Sequence, residues 1–331
     1  MADNKPNVKL LSMAGQGGST FGVALMNIIR ERDDIMVLSA DMSTPAGLNK
    51  FKTTFPDNFL NVGIAEQNMI GIAAGLASEG YKVICVAQAC FITMRCFEQV
   101  RQYLGYMNLP IVLIGIGSGL SLQYMGDTHY AIEDIAIMRT IPNMTALAPS
   151  DSLEAIKALE ASVNCNKSSY IRLFGGTGIP VVYKDDYDFE CGKPITLREG
   201  DDVTILATGS MVTQSLLAAE ILSEQNVSCE VIDVHTLKPF DNNILRNCKR
   251  FVVTVEEHRL IGGLGSIVSE ALAMQKSDDI ELLRLGIDDN FYPIPGSYNY
   301  LLEQCGLTAG QIAEKIKENL KNNYGDIRQN N

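Results

Sequence analysis

The sequence predicts an α/β protein of two domains, each a mainly parallel sheet flanked by helices. Three observations lead there. The chain has 331 residues, room for two domains at about 150 residues each. Short β-branched apolar runs alternate with longer segments of helical period along nearly the whole sequence, and such alternation builds parallel sheets joined by right-handed crossovers. One stretch interrupts it: residues 175–200 hold two Pro, five Gly and the acidic run Lys184-Asp-Asp-Tyr-Asp-Phe-Glu190. The expected organisation is a first domain over 1–180, a linker over 181–200 and a second domain over 201–331.

In chain order, strands are expected at 35–39, 82–87, 111–115, 145–147 and 170–173, then at 203–207, 228–233, 251–255 and 282–285. A helix over 19–30 opens on the cap candidates Ser19-Thr20, and Asp151-Ser-Leu-Glu154 has capping-box spacing. The helix over 66–79 is rich in Gly and Ala, which lets another backbone approach it closely. No repeat of 20–50 residues is visible.

Composition excludes several function classes. Lys and Arg number 27 against 39 Asp and Glu, a net charge of −12, opposite to the basic surplus of a nucleic-acid binder. Three His and no Cys-x-x-Cys pair argue against a metal site in this chain. The eight Cys lie mostly in apolar runs such as Val83-Ile-Cys85-Val, so they read as buried thiols of a reducing, cytoplasmic compartment. Between Arg101 and Asp127 there is no charge, but only residues 109–116 are densely apolar. That suits a buried strand and is too short for a membrane span. The polar start of the chain lacks the apolar core of a secretory signal.

Three glycine clusters raise the question of phosphate binding: Gly15-Gln-Gly-Gly-Ser-Thr20, Gly115-Ile-Gly-Ser-Gly119 and Gly262-Gly-Leu-Gly265. The first lacks the Lys of a P-loop and the second spaces its third Gly wrongly for a dinucleotide fingerprint. Tight turns are the better reading, with the first loop (Gln16, Ser19) kept as a substrate contact.

The most informative segment is Asn61-Val-Gly-Ile-Ala-Glu66-Gln, an acid at the start of an apolar, Gly-rich helix, where an ionised carboxylate is costly to bury. A helix-dipole role is the plain alternative. Two further clusters follow successive strands: Phe91-Ile-Thr-Met-Arg95-Cys-Phe-Glu98-Gln-Val-Arg101, and Thr128-His129 with Ile132-Glu133-Asp134.

Together with Ser39-Ala-Asp41, Ile141-Pro-Asn143, Ala148-Pro-Ser-Asp151, Asp233-Val-His-Thr-Leu-Lys-Pro239 and Thr254-Val-Glu-Glu-His258, this ordered set resembles the transketolase family over about residues 8–320. The match is to the C-terminal half alone, a thiamine-diphosphate pyrimidine-binding fold followed by a transketolase C-terminal-like domain. The Gly-Asp-Gly…Asn metal motif of the diphosphate-binding half does not occur. The resemblance therefore implies one subunit of a split enzyme, moving a two-carbon ketol unit from a ketose to an aldose. It implies thiamine diphosphate as cofactor, with Mg2+ or Ca2+ held mainly by a diphosphate-binding partner subunit, and self-association across a two-fold axis. Residue by residue, Glu66 would bond the cofactor's pyrimidine N1′, Phe91 would stack on that ring, and Asp41 would lie nearby. His129 would transfer a proton or hold a substrate hydroxyl. His235 and His258 are expected to be structural.

Departures fall on substrate contacts. Ser12-Met-Ala-Gly-Gln-Gly-Gly18 has no Arg, Met125 and Asp127 replace the Asp and Pro before Thr128-His129, and Gly175 replaces an Arg, although Arg172 is close by. Ala46, Gln88 and Gly117 also stand where the family has Ser, an aromatic and His. Losing bidentate Arg contacts weakens phosphate binding by about 1.5–3 kcal/mol per charged hydrogen bond. A non-phosphorylated, deoxy or nucleotide-linked sugar is the expectation, contacted by Gln16, Ser19, Met125, Asp127 and Arg172. Alternatives are the β-subunit of a 2-oxo acid dehydrogenase first component, a deoxyxylulose-phosphate synthase-like enzyme, and a non-catalytic assembly subunit.

Overall fold

A computed structural model describes residues 8–276, 279–291 and 295–324. Among them, twelve strands form two sheets: β1 (Ile35–Ser39), β2 (Phe59–Asn61), β3 (Lys82–Gln88), β4 (Ile111–Ile116), β5 (Met144–Leu147), β6 (Ser168–Leu173), β7 (Ile195–Arg198), β8 (Val203–Ala207), β9 (Cys229–Asp233), β10 (Thr236–Lys238), β11 (Phe251–Arg259) and β12 (Glu281–Ile287). The first sheet has the order β10-β5-β6-β4-β3-β1-β2 and the second β12-β11-β8-β9-β7. All pairings are parallel except β10 with β5 and β7 with β9.

The central strands explain the uncharged stretch of sequence. β4 is buried at all six positions and β3 at six of seven, because helices cover both faces of a parallel sheet. Apolar clusters lie on either side, one around Leu25, Ile35, Phe51 and Ile114, the other around Met69, Ile70, Leu104 and Leu113. No helix among the described residues is long and apolar enough to cross a membrane.

The three strands absent from the expected list, β2, β7 and β10, are edge strands of three or four residues. β7 lies inside the stretch read as a linker, and β10, from the C-terminal half, crosses over to close the first sheet beside β5. The two halves also share apolar packing. Leu120, Tyr130 and Ile132 sit in the core around Val203, Val253 and Leu301. β11 runs four residues beyond expectation, through Glu256-Glu257-His258-Arg259, all buried.

Helix starts follow local chemistry. Asp151 Oδ1 accepts the Glu154 N–H at 2.9 Å and caps the helix Ser152–Asn164. Its Oδ2 accepts the N–H groups of Val182 and Tyr183, each at 2.9 Å, tying down the chain that leaves the first sheet. The helix expected from Ser19 begins at Phe21, after a wide turn over Gly15–Thr20 that joins it to the helix Val8–Ala14. In the helix Glu66–Ser78, Gly71 and Gly75 are exposed and face no neighbour among the described residues. The expected close backbone contact is therefore not made at these glycines among the described residues.

Candidate functional site

Asp41, Glu66, Phe91 and His129 follow the C-terminal ends of β1, β2, β3 and β4 in turn, the edge at which parallel sheets form sites. Asp41 follows β1 with φ +57°, a left-handed turn that Asp tolerates. Its N–H donates to Asn61 Oδ1 at 3.1 Å, which also takes the Gly63 N–H, and Asn61 Nδ2 donates back to Asp41 Oδ1 at 3.3 Å. Asn61 thereby fixes the turn leading to Glu66, a role its place in the motif did not reveal.

Glu66 opens its helix with no side-chain cap and is 3 % exposed. Its pocket is not purely apolar as expected. Arg95 Nη1 donates to Glu66 Oε2 at 2.8 Å, and the guanidinium lies 4.0 Å from the centroid of the Phe91 ring, a cation–π distance. Gln67 Nε2 donates to the Arg95 carbonyl at 3.1 Å. The Phe91 ring meets the His129 ring edge-on, with centroids 5.5 Å apart, and His129 Nδ1 lies 2.9 Å from Thr128 Oγ1. Glu66, Arg95, Phe91 and His129 thus form one connected group. Arg95 is the member that sequence reasoning missed, although it stands inside the motif that begins at Phe91. Burial pushes the neighbouring thiols of Cys90 and Cys96 up to about 12, so both stay protonated and serve as packing groups.

The expected substrate contacts divide. Ser19 and Met125 are exposed and Asp127 is half-buried, with Met125 and Asp127 in the loop that carries His129. Gln16 is buried with both ends of its amide engaged, donating to the Pro149 carbonyl at 3.0 Å and accepting the Phe174 N–H at 2.9 Å. Arg172 is also buried. Its Nε donates to Asp134 Oδ2 at 2.8 Å, and its Nη2 donates to the carbonyls of Ala131 and Glu257 at 3.0 and 2.7 Å. In this chain the polar groups of Gln16 and Arg172 are thus engaged in holding backbone together.

Two glycine loops are filled by the chain's own carboxylates. Glu256 accepts the N–H groups of Leu264 and Gly265 at 2.6 and 2.8 Å, occupying the helix N-terminus where an anion would sit. Glu257 accepts the Leu120 N–H at 2.5 Å, and a Cβ on Gly119 would collide with that carboxyl. In the first loop, Gly15 and Gly17 let the backbone pass close to Gly176 and Phe174. His235 and His258 are buried, and burial pushes both down to about 4. His258 Nε2 accepts the Ala136 N–H at 3.3 Å and its Nδ1 donates to the Arg259 carbonyl at 2.7 Å, which fixes one neutral tautomer.

This arrangement suits an aromatic heterocycle. Among the described residues, Glu66 Oε1 makes no bond while Oε2 is held by Arg95, and a half-buried ring stands beside it with an imidazole at its edge. A planar ring carrying a polar edge could stack and hydrogen-bond there at once.

Comparisons with known proteins agree with that chemistry. Residues 17–174 match the family described as transketolase, pyrimidine binding domain, and residues 192–312 match transketolase, C-terminal domain. The 6-deoxy-6-sulfo-D-fructose transketolase subunit SqwH of Clostridium sp. is 38% identical over 302 residues, 90% of this chain and 92% of that one. An apulose-4-phosphate transketolase subunit of Actinobacillus succinogenes is 34% identical over 293 residues, 87% of this chain and 93% of that one. A solved structure described as a split gene transketolase, inactive beta4 tetramer, superposes with a TM-score of 0.80 at 35% identity, covering 90% of this chain and 96% of the other. With both of its sheets accounted for by these matches, the chain belongs to the transketolase family.

Proposed function

We propose that this chain is one half of a two-chain, thiamine-diphosphate-dependent transketolase, completed by a subunit that holds the cofactor's diphosphate. The observation that carries the reading is the single group formed by Glu66, Arg95, Phe91 and His129 at the C-terminal edge of the first sheet. Thiamine diphosphate, when bound, would supply a nucleophilic C2 on its thiazolium ring for chemistry at a ketose carbonyl. Glu66 holds a proton at the pyrimidine N1′ with the oxygen that Arg95 leaves free. Arg95 fixes the carboxyl and the Phe91 ring as one unit, and Phe91 offers a stacking face. Asp41 supports the Glu66 turn through Asn61. His129, anchored beside Thr128, exchanges a proton with the substrate's hydroxyl groups. Mg2+ or Ca2+ belongs to the partner, and the complex pairs two copies of each chain across a two-fold axis.

The substrate is a non-standard sugar. Relatives of similar length are named for 6-deoxy-6-sulfo-D-fructose and for apulose 4-phosphate, and the stretch Ser12-Met-Ala-Gly-Gln-Gly-Gly18 offers no Arg for a phosphate. The buried Arg172 offers none either. Ser19, Met125 and Asp127 are the side chains left to read the sugar.

The test is reconstitution with the diphosphate-binding partner, followed by two-carbon transfer assays over ketose donors with and without terminal anions. Glu66→Gln is expected to lower transfer by about 10²–10⁴-fold. Turnover of xylulose 5-phosphate and ribose 5-phosphate at ordinary efficiency would refute the substrate reading. Pyruvate decarboxylation in place of ketose cleavage, or full activity of Glu66→Gln, would refute the reaction itself.

A further inference from the structure

Strand β11 ends in four consecutive buried ionisable residues, and three of them reach into the other half of the molecule. Glu257 Oε1 accepts the Leu120 N–H at 2.5 Å, while its Oε2 accepts from the Ser210 hydroxyl and from Tyr298 OH, the latter at 2.7 Å. His258 Nε2 accepts the Ala136 N–H. Arg259 Nε donates to Glu133 Oε1 at 2.7 Å, and its backbone N–H donates to the Ile132 carbonyl at 2.9 Å. From the other side, Arg172 of β6 grips Asp134, the Ala131 carbonyl and the Glu257 carbonyl. These contacts converge on residues 120–136, the segment that carries His129.

That segment is closed at its base. The Gly119 N–H donates to the Ala131 carbonyl at 2.9 Å and the Ala131 N–H donates to the Gly119 carbonyl at 3.1 Å. Leu120, Tyr130 and Ile132 anchor in the second sheet's core, while His129 points the other way, to Phe91. The loop is therefore clamped at both ends by the second half and presents one ring to the first.

We infer that Glu257 is a positioning residue: by fixing the Leu120 end of the clamped loop it sets where His129 stands against Phe91. Its catalytic consequence rests on the proposed function, whereas the positioning itself does not. A matched control lies one residue away. Successive side chains of a strand point to opposite faces, and Glu256, equally buried, accepts two backbone N–H groups where Glu257 accepts one, but it serves Leu264 and Gly265 within its own half.

The experiment compares Glu257→Ala, Glu257→Gln and Glu256→Ala in the full chain and in the reconstituted complex. With three His in the sequence, the His129 ring signals are readily assigned by NMR. Glu257→Ala is expected to shift and broaden them and to speed exchange of the Leu120 amide by about tenfold or more. In the complex it should lower kcat by about 10- to 100-fold with little change in KM, the effect of a misplaced catalytic group. Glu257→Gln, which keeps an acceptor for Leu120, should restore the His129 signals and most of kcat. Glu256→Ala should lower stability and leave the His129 signals and kcat near wild type. Equal losses of kcat in Glu256→Ala and Glu257→Ala, or unmoved His129 signals in Glu257→Ala, would overturn the inference. If Glu257→Ala fails to fold, Tyr298→Phe removes a donor to the same carboxylate and keeps the ring packed on Phe174. It should move the His129 signals in the same direction, and no movement would overturn the inference. Moved His129 signals together with a wild-type complex that transfers no two-carbon unit would support positioning and refute the proposed function.

Discussion

Replacing Arg172 with Met is expected to destabilise the protein by about 3–5 kcal/mol, the cost of stranding one partner of a buried ion pair. The geometry sets this magnitude. Asp134 and Arg172 side chains are 0 % and 3 % exposed, so water cannot replace the lost guanidinium. Asp134 Oδ2 would keep only Tyr170 OH, at 2.6 Å, and Oδ1 has no partner among the described residues. The carbonyls of Ala131 and Glu257 would lose their donor as well. Guanidinium unfolding of the full chain measures the effect, and the midpoint should fall by about 1 M. Adding Asp134→Asn removes the stranded charge, so the double variant should recover about 1–3 kcal/mol relative to Arg172→Met alone. A substrate-binding Arg172 would behave differently: unchanged unfolding with a raised KM for the sugar would refute the reasoning.

The Glu256 carboxyl predicts a pH dependence. Burial pushes it up to about 7, outweighing the Gly265 and Leu264 amides that favour its charge. The folded chain then keeps a proton that the unfolded chain releases near 4.5. The contribution is full below about 4.5 and is lost as pH rises towards about 7. Glu256→Gln, which cannot titrate, should flatten that decline by about 3 kcal/mol in unfolding measured across the window, and an unaltered slope would refute the assignment. On the open face of the helix Glu66–Ser78, Gly71→Ala and Gly75→Ala meet no obstacle among the described residues. Each should stabilise the isolated chain by about 0.5–1 kcal/mol. If that face receives another backbone in the complex, both should weaken assembly in sedimentation experiments. Unchanged assembly would show that the glycines serve no contact.

What could be read from the sequence followed burial. Strands covered on both faces, such as β4 and β8, appear as apolar runs bounded by turns. β2 and β7 are half exposed at sheet edges, and β10 is three residues long, so none has a run long enough to stand out. The end of β11 was hidden for the opposite reason. Glu256-Glu257-His258-Arg259 reads as a polar loop, and only the facing amides and guanidinium explain how such residues lie buried. At the site, Glu66, Phe91 and His129 could be picked out through their motifs, and the structure brings them together. Arg95 could not, because a lone Arg on a helical segment is ordinarily solvated, and its partner lies 29 residues earlier. For Gln16 and Arg172 the side-chain chemistry was legible while their depth was not.

The crossing of β10 bears on how the polypeptide reaches its native state. The first sheet ends in the sequence at β6, yet one of its edges is closed only by Thr236–Lys238. During synthesis, Met144–Leu147 therefore emerges with an unpaired flank, and that flank stays open until much of the second sheet has followed. An open parallel-sheet edge is a template for pairing with another chain. A fragment cut between the two sheets should for this reason self-associate, even with every parallel strand of its own sheet intact. The smallest piece able to fold cleanly must retain residues 236–238 together with the strand they protect.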